Sequence, residues 1–139
     1  MYERILLPTD GSEESRRAVP HARSLAEKYD AEVHVLYVVD LRVDTAGEYL
    51  DTIMGEIEEE GERATESVAG EFDEAEEHVR RGIPHEAINE FVEEKEVDLI
   101  VMGSLGKSGL ERVLLGSTAE KVIRTAEVPV MTVGPGREE

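Results

Sequence analysis

Along this chain, short apolar runs alternate with longer stretches in which apolar residues recur every three or four positions. The first run is Arg4-Ile5-Leu6-Leu7, bounded by Pro8-Thr9-Asp10-Gly11. Behind it Ala18, Val19, Ala22, Leu25 and Ala26 share one face at helical spacing, which predicts a helix opening at Ser12 and Glu13. Ser12, Glu14 and Ser15 supply N-cap chemistry, and Pro20, with no amide hydrogen, is expected to kink or interrupt the helix. Residues 32–39 read as a second strand. A long acidic helix follows between residues 45 and 70, with Ile53, Ile57, Ala64 and Val68 on its packing face. A third, polar strand at about residues 75–80 ends at Gly82-Ile83-Pro84, and its charge suits a sheet edge. Ala87, Ile88, Phe91 and Val92 then mark a helix, residues 97–102 a strand, 117–125 a helix and 128–133 a last strand.

Strands that alternate with helices in this way build an α/β fold: an open, five-stranded parallel sheet with helices on both faces, joined by right-handed crossovers. In such Rossmann-like sheets ligands sit beyond the carboxyl ends of the strands, where strand order reverses. That rule gathers Pro8-Thr9-Asp10, Val38-Val39-Asp40 and Gly103 around one crevice. A carboxylate at Asp10 can accept from ribose hydroxyls or hold a divalent ion through water, or it can simply close an Asx turn. Val38 and Ile83 can flank a flat base, or belong to the core.

Small residues cluster behind the fourth strand. Gly103-Ser104-Leu105-Gly106 is followed, after nine residues, by Gly116-Ser117-Thr118 and a helical pattern. A loop between a strand and a helix turns unpaired amides outward, and the helix dipole adds positive charge where an anion would rest. Two better-known phosphate loops fail on spacing. Gly106-Lys107-Ser108 resembles the end of a P-loop, but the first glycine that motif requires falls at Val101. The dinucleotide fingerprint needs glycines at its first, third and sixth places, whereas here they stand at 103, 106 and 109. The simpler reading is that Gly103 and Gly106 shape a turn while Ser117 or Ser108 caps a helix.

Composition narrows the field. At 139 residues the chain fits one domain, 1–139, and it contains no cysteine, so disulfides, thiolate metal sites and a cysteine nucleophile are excluded. His21, His34, His78 and His85 are scattered without ligand spacing and read as surface or packing residues. The net charge of −18 argues against nucleic acid and anionic membranes as partners. Two Phe, four Tyr and no Trp leave little for a base-stacking platform. Met1-Tyr2-Glu3-Arg4 runs straight into a strand with no signal peptide, and no apolar run approaches the roughly 20 residues of a membrane span, so the expected location is the cytoplasm. The densest acidic block, residues 56–77, reads as a solvated helix face and a loop.

Pro8-Thr9-Asp10-Gly11-Ser12, Gly82-Ile83-Pro84 and the Gly-x2-Gly-x9-Gly-Ser-Thr pattern at 103–118 together resemble the universal stress protein family, over the whole chain. The resemblance implies the strand order 3-2-1-4-5 and an ATP site. In that site adenine lies near Asp10 and the backbone of Val38, and Asp10 and Gly103 hold the ribose. Gly106, Gly116, Ser117 and Thr118 carry the phosphates, with Mg²⁺ or Mn²⁺ held through phosphate oxygens and no direct protein ligand to the metal. Pro8, Thr9, Met102 and Lys107 complete the expected binding set. Leu105 stands where many relatives carry His or Arg, and Ala119 where some carry a hydroxyl residue; Lys107 or Arg112 is the substitute cation. A homodimer through the last strand, from Val128 to Val133 with Val130 on its apolar face, is also implied. The function expected is a cytoplasmic stress-response switch with slow or partner-dependent ATP hydrolysis. The alternative is a dimeric interaction module that binds no nucleotide. A phosphoacceptor receiver domain fails, because the third strand ends in Arg80-Arg81-Gly82 where the acceptor aspartate belongs.

The acid excess, with Arg outnumbering Lys, resembles the surfaces of proteins from salt-loving organisms. Salt screens the self-repulsion of such a surface. The melting temperature is therefore expected to rise between low and molar salt in a thermal melt followed by circular dichroism.

Overall fold

The computed structural model describes residues 1–40, 42, 50–105 and 115–135. The elements run β1 (Arg4–Pro8), α1 (Glu13–Arg16), α2 (Val19–Tyr29), β2 (Glu32–Asp40), α3 (Leu50–Ala69), β3 (Glu76–Gly82), α4 (Pro84–Lys95), β4 (Leu99–Gly103), α5 (Ser117–Thr125) and β5 (Val130–Val133). All five strands are parallel in the order β3-β2-β1-β4-β5, as expected.

Strict alternation along the central strands assigns side chains to two layers. Ile5, Leu7, Val33, Val35, Leu99 and Val101 face α2 and α3, where they meet Val19, Ala22 and Val68. Leu6, Leu36, Ile100 and Met102 face α4 and α5, against Ile88, Phe91, Ala119 and Val122. A strand buried on both faces must be apolar at every position, which is why β1 and β4 read as continuous apolar runs. Burying each such Leu or Ile contributes about 1.5–3 kcal/mol.

The first predicted helix is broken in two. α1 ends at Arg16, and α2 begins at Val19 with Pro20 in its first turn, where a missing amide hydrogen costs nothing. β3 is an edge strand, as its charge predicts. β5 begins at Val130 rather than Val128, because Pro129 takes part only through its carbonyl, which accepts from the Ile100 amide. At the amino end of the sheet, Asp98 accepts from the amides of Glu3 (2.8 Å) and Arg4 (3.1 Å) and pins β1 to the start of β4. Among the described residues, no helix is long and apolar enough to cross a membrane.

Gly103, the last residue of β4, is fixed by packing. A Cβ there would lie 2.6 Å from the Glu14 carbonyl oxygen and 3.0 Å from the Ser15 Cα, so α1 crosses where only glycine fits. Gly103→Ala forces backbone against backbone, and overpacking of this kind costs about 1–3 kcal/mol. Urea unfolding of that variant is expected to show a midpoint lowered accordingly, with an unchanged slope.

Candidate functional site

β1 is flanked by β2 on one side and β4 on the other, so strand order reverses at its carboxyl end. Beyond that end opens a cleft of about 440 Å³, within the range of small-molecule sites. Its floor begins at Pro8 and Thr9. The Thr9 amide continues the ladder to the Leu36 carbonyl (2.9 Å), and its hydroxyl meets that of Ser15 (3.1 Å) and accepts from the Gly11 amide (3.1 Å). Gly11 has φ +82°, a left-handed conformation that favours glycine. Ser12 caps α1, its hydroxyl accepting from the Ser15 amide at 3.1 Å. These bonds hold Asp10 at the mouth of the cleft, and one of its carboxylate oxygens accepts from the Ser12 amide (3.0 Å) and from the Ser12 hydroxyl. Asp10 therefore closes an Asx turn and also lines the cleft.

The opposite wall is the start of α5. Gly116 is its N-cap, in extended conformation, with no side-chain capping bond. Ser117 is therefore the first helical residue and does not cap the helix; Ser108, the other expected cap, lies outside the described residues. The first-turn amides of α5, with the positive end of its dipole, are left for water or an anion. Gly116, Ser117 and Thr118 all border the cleft. Ala119 is 3% exposed and packs in the core, so a hydroxyl at this position would have to be buried. Leu105 brings an apolar side chain to the cleft rather than a cation.

The third wall is apolar: Val38, Met102, Pro84 and Ile88. Val38 packs on the Leu6–Leu36 layer while also facing the cleft, so both readings of this residue hold. Ile83 does not line it. That residue is the N-cap of α4, and the chain presents Pro84 instead, one position on.

Of the residues expected to form a site, Pro8, Thr9, Asp10, Val38, Met102, Gly103, Gly116, Ser117 and Thr118 border this one cleft. Gly106, Lys107 and Arg112 lie outside the described residues. The sequence reading missed Arg42. Its guanidinium donates to Asp40 through Nε (3.0 Å) and Nη2 (2.8 Å), and its amide donates to the same carboxylate (2.9 Å). Both residues line the cleft, and the Arg42 hydrogen bonds hold the Asp40 carboxyl below its ordinary range. An arginine two residues beyond a strand carries no spacing signal, which is why only the structure finds it.

A second hollow, of about 380 Å³, lies at the amino end of the sheet. Glu27, Asp30, Glu32, Glu74 and Glu76 line it, and so many carboxylates disfavour an anion. The surface-or-packing reading of the histidines holds for three of them, His34 and His78 packing on Phe91. His21 is exposed, but His34 and His78, although 44 residues apart, approach to 3.1 Å across the β2–β3 ladder.

The model for the universal stress protein family matches residues 1–134. Universal stress protein MJ0531 of Methanocaldococcus jannaschii is 40% identical over 146 residues, covering 100% of this chain and 86% of its own length. The solved structure of MJ0577 from the same organism superposes with a TM-score of 0.90 at 34% identity, covering 99% of both chains. A universal stress protein of Archaeoglobus fulgidus, solved in complex with dAMP, superposes at 0.65 with 27% identity, covering 94% of this chain and 97% of that one.

The Arg42–Asp40 fork predicts a titration. A depressed carboxyl pKa stabilises the folded state above the ordinary carboxylate value, and that stabilisation is lost as pH falls through the lowered one. In Arg42→Ala, NMR titration of the side-chain carboxyl is expected to show the Asp40 midpoint raised from its depressed position towards the ordinary carboxylate range.

Proposed function

This chain belongs to the universal stress protein family, and from that premise we propose that it binds an adenine nucleotide, ATP with Mg²⁺ or Mn²⁺, in the cleft at the end of β1 and acts as a nucleotide-dependent switch in the cytoplasm. The observation that carries the reading is the first turn of α5, which has no side-chain cap and faces the cleft that Asp10 borders. Phosphates rest on the amides and hydroxyls of Ser117 and Thr118, with Gly106 and Lys107, outside the described residues, as the remaining expected contacts. Ribose lies between Asp10 and Gly103. The base lies along Val38 and Met102, with Pro84 and Ile88 completing the apolar shelf. The relative solved with dAMP supports an adenine nucleotide as the ligand class.

The metal ion supplies charge neutralisation on the phosphate oxygens and takes no direct ligand from the protein. Holding is favoured over turnover. Phosphoryl transfer needs a group that orients the nucleophile and a cation on the leaving phosphate, whereas Asp10 is engaged with Ser12 and Arg42 with Asp40. Any hydrolysis is accordingly slow, or depends on a partner. Occupancy reaches a second copy of the chain through β5, which follows α5 directly and is an edge strand. Val130 and Val133 are partly buried there, and antiparallel pairing of two β5 strands joins the sheets of a homodimer.

Ser117→Glu separates fold from site. An acid in the first turn favours the helix dipole, yet it puts negative charge where the phosphates rest. Calorimetric titration with Mg²⁺-ATP is expected to show saturable binding by the native protein. The variant should bind at least ten- to hundredfold more weakly, the equivalent of about 1.5–3 kcal/mol for one charge-assisted hydrogen bond, without a loss of melting temperature. No heat from a folded native protein would leave the dimeric module without nucleotide as the function.

A further inference from the structure

Parallel pairing of β2 with β3 sets His34 opposite Glu76 and Leu36 opposite His78, so the three polar residues share the sheet face that α4 covers. His34 Nδ1 lies 3.1 Å from His78 Nε2 and 2.9 Å from a Glu76 carboxylate oxygen, and that oxygen is 3.9 Å from His78 Nε2. From this geometry we infer that His34, Glu76 and His78 form a binding site for a divalent transition metal of the zinc class, separate from the nucleotide cleft.

Three lone-pair atoms converge on one point. A single hydrogen on His34 Nδ1 can serve His78 or Glu76, and whichever it leaves out faces another lone pair. A cation at the centre satisfies all three. Ligand atoms about 2.0–2.1 Å from a tetrahedral zinc ion are separated from one another by about 3.3 Å, and the observed separations straddle that value. Two imidazoles with one carboxylate suit zinc, cobalt or nickel rather than magnesium or calcium, which take oxygen ligands.

The surroundings fit a site of this kind. His34 is 3% exposed, and its outer nitrogen, Nε2, is buried with no hydrogen-bond partner. Metal on Nδ1 places the hydrogen on Nε2, and the nearest carboxylate to it, that of the largely exposed Glu32, lies 4.0 Å away and would have to move closer to accept it. Ligating histidines habitually pair their second nitrogen with a carboxylate in this way. Phe91 meets both rings edge to face, at centroid distances of 5.7 and 4.7 Å, and restricts their rotation. Glu76 lies on an edge strand with its side chain 62% exposed, which leaves an entry path from solvent. His34 is the third residue of β2, whereas Asp40 at the cleft is the last. None of the three ligands lines the cleft, although Leu36, which does, stands opposite His78 in the ladder and separates the two sites.

The test is titration of untagged, chelator-treated, nucleotide-free protein with Co²⁺, followed by visible absorption. One Co²⁺ per chain is expected, with the intense bands of tetrahedral coordination, displaced by Zn²⁺ and accompanied by a rise in melting temperature. His78→Gln and Glu76→Gln should each weaken binding at least tenfold, whereas His21→Gln and His85→Gln should leave it unchanged. Glu76→Gln alters an exposed side chain and so remains informative should His78→Gln fail to fold. The inference is overturned if the native protein shows no tetrahedral bands at millimolar Co²⁺, or if Glu76→Gln binds with native affinity.

Discussion

The position of β1 between β2 and β4 is the constraint on which the rest depends. The chain leaves β1 towards one edge of the sheet, returns beyond it, and continues to the other. The helices consequently divide, with α2 and α3 on one face and α4 and α5 on the other. The chain leaves β1 for a helix on one face and β4 for a helix on the other. The cleft is what the topology leaves open, and the residues at its rim are those at which strands stop.

The two sides of that rim differ in kind. On the β1 side, a Thr-Asp-Gly-Ser-x-x-Ser segment knots its hydroxyls and amides into a rigid turn and offers a carboxylate. On the α5 side, a helix begins without a side-chain cap and offers amide donors. The nucleotide proposed above would set its hydroxyls against the first side and its phosphates against the second. A chain of net charge −18 repels anions at long range, so any attraction for an anion in the cleft must come from oriented amides at contact distance.

Much of this was legible in the sequence because burial on both faces leaves a strong trace. β1 and β4 announce themselves as unbroken apolar runs, Pro20 marks the break between α1 and α2, and charge marks β3 as an edge. The residues at the strand ends could be gathered into one crevice by topology alone. What escaped the sequence depends on register or on side-chain reach. His34 and His78 meet only because β2 and β3 pair with one particular offset. Arg42 reaches back to Asp40 from beyond the strand, and Gly103 is small for the sake of α1 as much as for any ligand.

The contact of Asp98 with the amides of Glu3 and Arg4 joins residues 95 and 94 positions apart. A ribosome extrudes the chain from its amino end, so β1, β2 and β3 emerge while the other edge of β1 still lacks its neighbour. Leu6 waits for Ile100, and the site at the end of β1 waits for α5. A nascent or truncated chain that stops before β4 therefore presents an open, apolar strand edge at the centre of the future sheet, a surface prone to pair with other chains. The liability of the open edge of β1 is confined to the period of synthesis, and it ends when the last third of the sequence arrives.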